Sequence, residues 1–137
     1  MAVGARREEI KMLKVMWLLK RKTGTTMREF IDYYENRHSV LGAELFAKGD
    51  FAPLKYVRKY LQPMTDPIGA SEEGAEQEYD VAMELWFHDQ AHFDRMIEVM
   101  TPAYDIIIED EAQFLERDKR AVFILEEHET LFDATQP

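Results

Sequence analysis

Between Lys11 and Lys20 the chain reads KMLKVMWLLK, with Leu13, Val15, Trp17 and Leu19 at period two and Met16 and Leu18 between them. Alternate side chains leave a strand on opposite faces, so this spacing predicts a strand. Because its second face is also largely apolar, the strand needs cover on both sides. Helices can supply one cover, and the sheet of a second subunit can supply the other.

The rest of the chain supplies those helices. Gly24 marks a turn and Thr26 is placed to cap a helix over Thr25–Phe46, on which Phe30, Tyr34, His38, Leu41 and Leu45 share one face. Gly49 suits a left-handed helix end, with Pro53 just beyond it. Leu54–Gln62 alternates as a second strand, with Tyr56, Arg58 and Tyr60 on one face. Residues 63–78 have no hydrophobic period and read as a long irregular loop. In Tyr79–Phe87 the residues Val81, Met83, Leu85 and Phe87 face one way, and Asp80, Ala82, Glu84 and Trp86 the other.

Asp89 then caps a helix buried through Phe93, Met96, Ile97 and Met100, and Pro102 restarts it towards Ile107 and Ile108. A short acidic helix is expected over Glu109–Glu116 and a last strand over Arg120–Glu127. The order β-α-β-β-α-β predicts an α+β ferredoxin-like fold, a four-stranded antiparallel sheet with helices on one face. The bare face is expected to pair with a second copy as a dimeric α/β barrel. Residues 1–10 read as a disordered extension without the apolar core of a signal peptide, 11–130 as one domain and 131–137 as a loose tail.

Composition narrows the partners. With 27 acidic and 17 basic residues the formal charge is -10, which argues against nucleic acid and anionic membrane surfaces. No apolar run approaches the roughly 20 residues of a membrane helix. The chain has no cysteine, which removes thiolate chemistry and fits a reducing cytoplasm. A small hydrophobic ligand and a second copy of the chain are the expected partners.

Phe30-Ile31-Asp32-Tyr33-Tyr34-Glu35-Asn36-Arg37-His38 resembles the F-x-x-Y-[YWF]-x-x-x-H helix signature of the EthD family. Tyr56-Val57 is similar to that family's second strand, Glu84-Leu85-Trp86-Phe87 with Asp89 to its E-x-W-F-x-D strand end, and the acidic residues before Phe114 to its D-x-x-x-F turn. The resemblance spans roughly residues 12 to 128. It implies a dimeric α/β barrel with a ligand cavity. EthD-like proteins stand beside catabolic enzymes for ethers and aromatics, and some fungal relatives are cofactor-independent dehydratases of polyketide rings. The chain departs from the pattern in its acidic 63–78 loop and in His88.

His38 is the candidate catalytic residue, because an imidazole stands where the helical stripe calls for a hydrophobe and can move a proton near neutral pH. Tyr34 and Tyr56 are the phenols placed to stabilise developing oxyanion charge. Trp17, Phe30, Leu41, Trp86 and Phe93 are the expected substrate-binding side chains. Each of these also fits plain core packing. His88-Asp89-Gln90-Ala91-His92 resembles a zinc-protease H-E-x-x-H, but His88 belongs at a strand end and a third ligand is lacking, so no metal is expected. No cofactor is expected either, as the chain has no Gly-rich phosphate loop and no haem attachment motif. The expected activity is that of a cofactor-independent lyase, dehydratase or isomerase on a small hydrophobic oxygenated substrate. The alternative is a non-catalytic ligand-binding accessory protein of a catabolic pathway.

Overall fold

The computed structural model describes residues 12–64, 66–69 and 77–132. The expected N-terminal extension, the middle of the 63–78 loop and most of the tail lie outside the described residues. Strands β1 (Leu13–Arg21), β2 (Lys55–Tyr60), β3 (Val81–Phe87) and β4 (Leu115–Ile124) form one sheet in the order β2-β3-β1-β4. Every neighbouring pair is antiparallel. The helices are α1 (Met27–Tyr33), α2 (Ser39–Phe46), α3 (Gln90–Met100) and α4 (Tyr104–Glu111). This is the ferredoxin-like α+β arrangement read from the sequence.

Strand parity divides the sheet as the alternation predicts. Val15 and Leu19 of β1 and Val81, Leu85 and Phe87 of β3 are buried beneath the helices in two apolar clusters. One cluster gathers Met96 and Met100 of α3 with Leu45 of α2; the other gathers Phe30, Tyr34 and Phe114. On the far face the register sets Leu18 between Ala82 and Ala121, and Met16 between Glu84 and Phe123. None of the four helices covers that row, and Phe123 is 47% exposed.

The element boundaries carry the differences from the sequence reading. Thr26 caps α1, accepting from the Glu29 amide at 3.0 Å while Glu29 returns a bond to the Thr26 amide at 2.9 Å. This reciprocal box satisfies two otherwise open helix donors. The expected continuous helix over Thr25–Phe46 is interrupted by a π-helical turn at Tyr34–His38. Gly49 does not take the left-handed conformation; positive φ occurs among the described glycines at Gly24 and Gly69. Gly49 instead makes room for Phe51, whose ring would stand 2.9 Å from an added Cβ. The acidic helix expected up to Glu116 ends at Glu111, and β4 begins at Leu115 rather than at Arg120. Arg21 pairs with Leu115 across an irregularity that follows Leu19, so the ladder reaches into the charged stretch LERDKR.

Candidate functional site

A cavity of about 420 Å³ lies between the sheet and the helices. Trp17, Met83 and Leu85 of the sheet form its floor, and Leu41, Met96 and Ile107 represent the apolar walls from α2, α3 and α4. Its volume falls in the range of small-molecule sites, and its lining is mostly hydrophobic with few polar groups. Those polar groups gather where α4 ends. Asp110 and Glu111 are consecutive residues there, so they point in different directions round the helix axis and serve different partners.

Asp110 serves His38. Its Oδ2 lies 2.7 Å from His38 Nδ1, and its Oδ1 accepts from the Tyr33 hydroxyl at 2.7 Å. A carboxylate at Nδ1 selects the tautomer that carries its proton there, which leaves Nε2 as the acceptor nitrogen. Nε2 has no hydrogen bond among the described residues, and none of their buried side-chain nitrogens or oxygens lacks a partner. Nε2 is therefore accessible, and His38 lines the cavity. The imidazole is seated by rings, with Phe114 centred 4.8 Å away and Tyr34 at 5.5 Å. The π-helical turn that ends at His38 is a kind of widening often found at functional sites.

The phenols form a second polar set. Tyr56 lines the cavity, and its oxygen is 3.2 Å from that of Tyr34, which is 1% exposed and lies behind it. Burial pushes the Tyr56 hydroxyl up to about 12 and holds Tyr34 well above the ordinary phenol range. Burial together with the Asp110 hydrogen bond pushes Tyr33 up to about 12. All three phenols stay protonated at neutral pH; Tyr33 gives its one proton to Asp110 and Tyr56 gives its own to the Tyr34 oxygen.

Glu35, within the π-helical turn, ties this region to β2. Arg58 donates to it through Nε at 2.7 Å and Nη2 at 2.8 Å, and Tyr60 also bonds it. The Arg58 hydrogen bonds hold the Glu35 carboxyl below the usual range, against the opposing effect of burial. A carboxyl depressed in the folded state adds stability above its unfolded pKa, and that contribution is lost as pH falls through the folded value. Melting temperature measured against pH should therefore fall on acidification below about 4.5, the ordinary Glu value. Glu35→Gln should lower the neutral-pH melting temperature modestly, the pair being partly open to water, and flatten that acid decline. Parallel curves for the two proteins would contradict the assignment.

The structure distributes the sequence candidates unevenly. His38, Tyr56, Trp17 and Leu41 line the cavity, while Tyr34 reaches it only through Tyr56. Phe30, 1% exposed, is packed away from the cavity against Tyr34, Tyr60 and Phe114. Phe93 packs edge-on against Phe87 and is not a wall of the cavity. Trp86 lies on the opposite sheet face, its indole N–H donating to Glu84 at 3.0 Å and its ring beneath the Lys14 ammonium at 3.7 Å. None of these three is in the cavity lining.

Asp110, bonded to His38, and Glu111, Arg117 and Arg120 of the cavity lining are residues that sequence reasoning did not single out. The D-x-x-x-F spacing from Asp110 to Phe114 was the available signal for the first. His92 has both ring nitrogens engaged, Nδ1 accepting from the His88 amide at 3.0 Å and Nε2 lying 2.8 Å from the Ala52 carbonyl oxygen. It clips the start of α3 to the segment before β2. Among the described residues no helix is long and apolar enough to cross a membrane.

The chain is similar to two solved structures. An ethyl tert-butyl ether D (EthD) family protein from Bacillus halodurans superposes with a TM-score of 0.56 at 16% identity, over 86% of this chain and 100% of that one. An EthD-like protein from Ralstonia eutropha gives a TM-score of 0.53 at 16% identity, over 91% of this chain and 97% of that one. At such identity the likeness speaks for the fold alone. No curated protein matches the chain. The profile of the EthD domain matches residues 22–118, which includes the π-helical turn, Tyr56 and the His38–Asp110 pair, and the chain belongs to the EthD family.

Proposed function

We propose that the cavity is the active site of a cofactor-independent lyase, dehydratase or isomerase acting on a small hydrophobic oxygenated substrate, with His38 as the proton-transfer residue. The observation that carries this reading is the two-sided state of the imidazole: Nδ1 is tied to Asp110 at 2.7 Å while Nε2 remains accessible in the cavity wall. In the proposed step Nε2 takes a proton from carbon next to a substrate carbonyl, and the electron pair moves onto the carbonyl oxygen as an enolate. The Tyr56 hydroxyl turns its proton from Tyr34 to that oxygen, while the Tyr34 hydroxyl donates to Tyr56 in exchange. Asp110 steadies the imidazolium, which returns its proton either to a distal carbon, completing an isomerisation, or to a departing β-hydroxyl, releasing water.

Deuterium exchange tests the chemistry without knowledge of the natural substrate. Bicyclic aromatic ketones with an enolisable position, incubated with the protein in heavy water, should gain deuterium at that carbon faster than in buffer alone, as read by mass spectrometry. Ligands that bind in the cavity yet never exchange would favour the non-catalytic accessory reading.

The same reading includes a homodimer through the open sheet face. Met16, Leu18, Val57 and Phe123 give that face its apolar side chains. The acid among them is already neutralised, since Lys59 donates to Glu84 at 2.7 Å. Burial pushes the Glu84 carboxyl up, but the Lys59 and Trp86 hydrogen bonds outweigh it and hold it below the usual range. A charge so paired can be covered by a second subunit at less cost than a free one.

A further inference from the structure

Glu111 is 8% exposed and uses both carboxylate oxygens on two arginines. Arg117 donates through Nε at 3.0 Å, and Arg120 through Nη1 at 3.2 Å and Nη2 at 3.5 Å. All three side chains line the cavity. Two guanidiniums against one carboxylate leave a surplus positive charge at one end of an otherwise apolar space. The nearby Asp110 offsets part of that charge, but its oxygens are directed to His38 and Tyr33 and make no hydrogen bond to either arginine.

Arg117 approaches Glu111 by Nε alone, and its terminal Nη1 and Nη2 have no hydrogen bond among the described residues. Two parallel N–H donors on a planar fork match the two oxygens of a carboxylate. A neutral carbonyl can accept from one arm of this fork, but only an acid engages both arms and brings the charge that pairs with the guanidinium.

We propose that the ligand is an amphiphilic acid, its carboxylate received by Arg117 with support from Arg120 and its apolar body laid across Trp17 and Met83. This rests on reading the cavity as a ligand site, and it adds a direction: the acid is anchored where α4 ends. The His38–Asp110 pair stands at the same end, so proton transfer falls on atoms close to the acid rather than at the far tip of the apolar body. The net charge of -10 repels acids at long range, which leaves selection to these short contacts.

A matched pair of probes tests the claim by titration calorimetry at neutral pH: 2-naphthoate and its uncharged amide, 2-naphthamide. The carboxylate should bind about tenfold or more tightly than the amide, as a charge-assisted pair predicts. Arg117→Gln should bring the two affinities within about threefold while leaving the amide unchanged, which also certifies an intact cavity. Arg120→Gln, which turns the cluster into a neutral pair, should lower the preference in the same direction. His38→Gln should keep it. Equal binding of both probes to the unaltered protein, or a preference that survives Arg117→Gln, overturns acid recognition while the cavity stands. Failure of both probes to bind overturns the cavity reading together with it.

Discussion

His38→Gln should fold, bind ligand and lose about 10² to 10⁴ in turnover, the contribution typical of a positioned acid–base group. Glutamine keeps a polar side chain of similar size opposite Asp110, but it cannot take up and release a proton. The effect should fall on turnover rather than on affinity, because the cavity walls that hold an apolar body, Trp17, Leu41 and Met83 among them, are unchanged. A merely structural histidine predicts a different pattern. The Nδ1 contact joins the π-helical turn to the end of α4, and its loss would cost about 1 to 3 kcal/mol if Asp110 were left short of a partner. Activity would then decline only in step with thermal stability. Melting and turnover measured on the same preparations separate the two, and a stable His38→Gln protein with undiminished turnover ends the catalytic reading.

Leu18→Glu should convert the proposed dimer into a monomer. Leu18 rises between Ala82 and Ala121, so its side chain stands out as a ridge flanked by small residues on the uncovered face. In a twofold contact the same patch of both subunits meets, so each substitution enters the interface twice. Placing two carboxylates in an apolar contact costs several kcal/mol, enough to weaken association by about 100-fold or more. Within one subunit Leu18 is only half-buried and lies outside both apolar clusters, so the four-stranded sheet should persist. Light scattering across micromolar concentrations checks both halves: a dimer for the unaltered chain and a monomer with native circular dichroism for the variant. An unaltered chain that is already monodisperse as a monomer refutes the interface.

Side-chain periodicity made the layers legible. The parity of Leu13 to Leu19 and of Val81 to Phe87 sorted the two sheet faces correctly, and the F-x-x-Y-[YWF]-x-x-x-H pattern brought His38 and Tyr34 to one side of a helix. That parity also put Trp86 opposite to Leu85, so its place among the pocket residues contradicted the strand that carries it. Phe30 and Phe93 lie outside the cavity lining for a different reason. Spacing identifies which side chains turn inward, but only packing decides whether an inward ring meets a cavity or other rings. The π-helical turn leaves little trace in composition, since Phe30, Tyr34 and His38 remain four apart with or without it. The start of β4 was hidden because Leu115 and Glu116 read as the end of an acidic helix and the charged Arg117 to Lys119 show no alternation, although Arg117 is held by Glu111. The partnership of Asp110 with His38 joins positions 72 residues apart, a distance that no local pattern spans.

The two tryptophans stand on opposite sides of the sheet, Trp17 in the cavity floor and Trp86 on the uncovered face with Lys14 and Lys55 against its ring. They are the only indoles in the chain, so its tryptophan fluorescence is the sum of one signal from each face of the sheet. With Trp86 replaced by phenylalanine, the remaining emission answers to what enters the cavity. With Trp17 replaced instead, it answers to whatever approaches the open sheet. Occupancy and association can thus be followed separately, in real time and without an attached dye, by an optical contrast already built into the sheet.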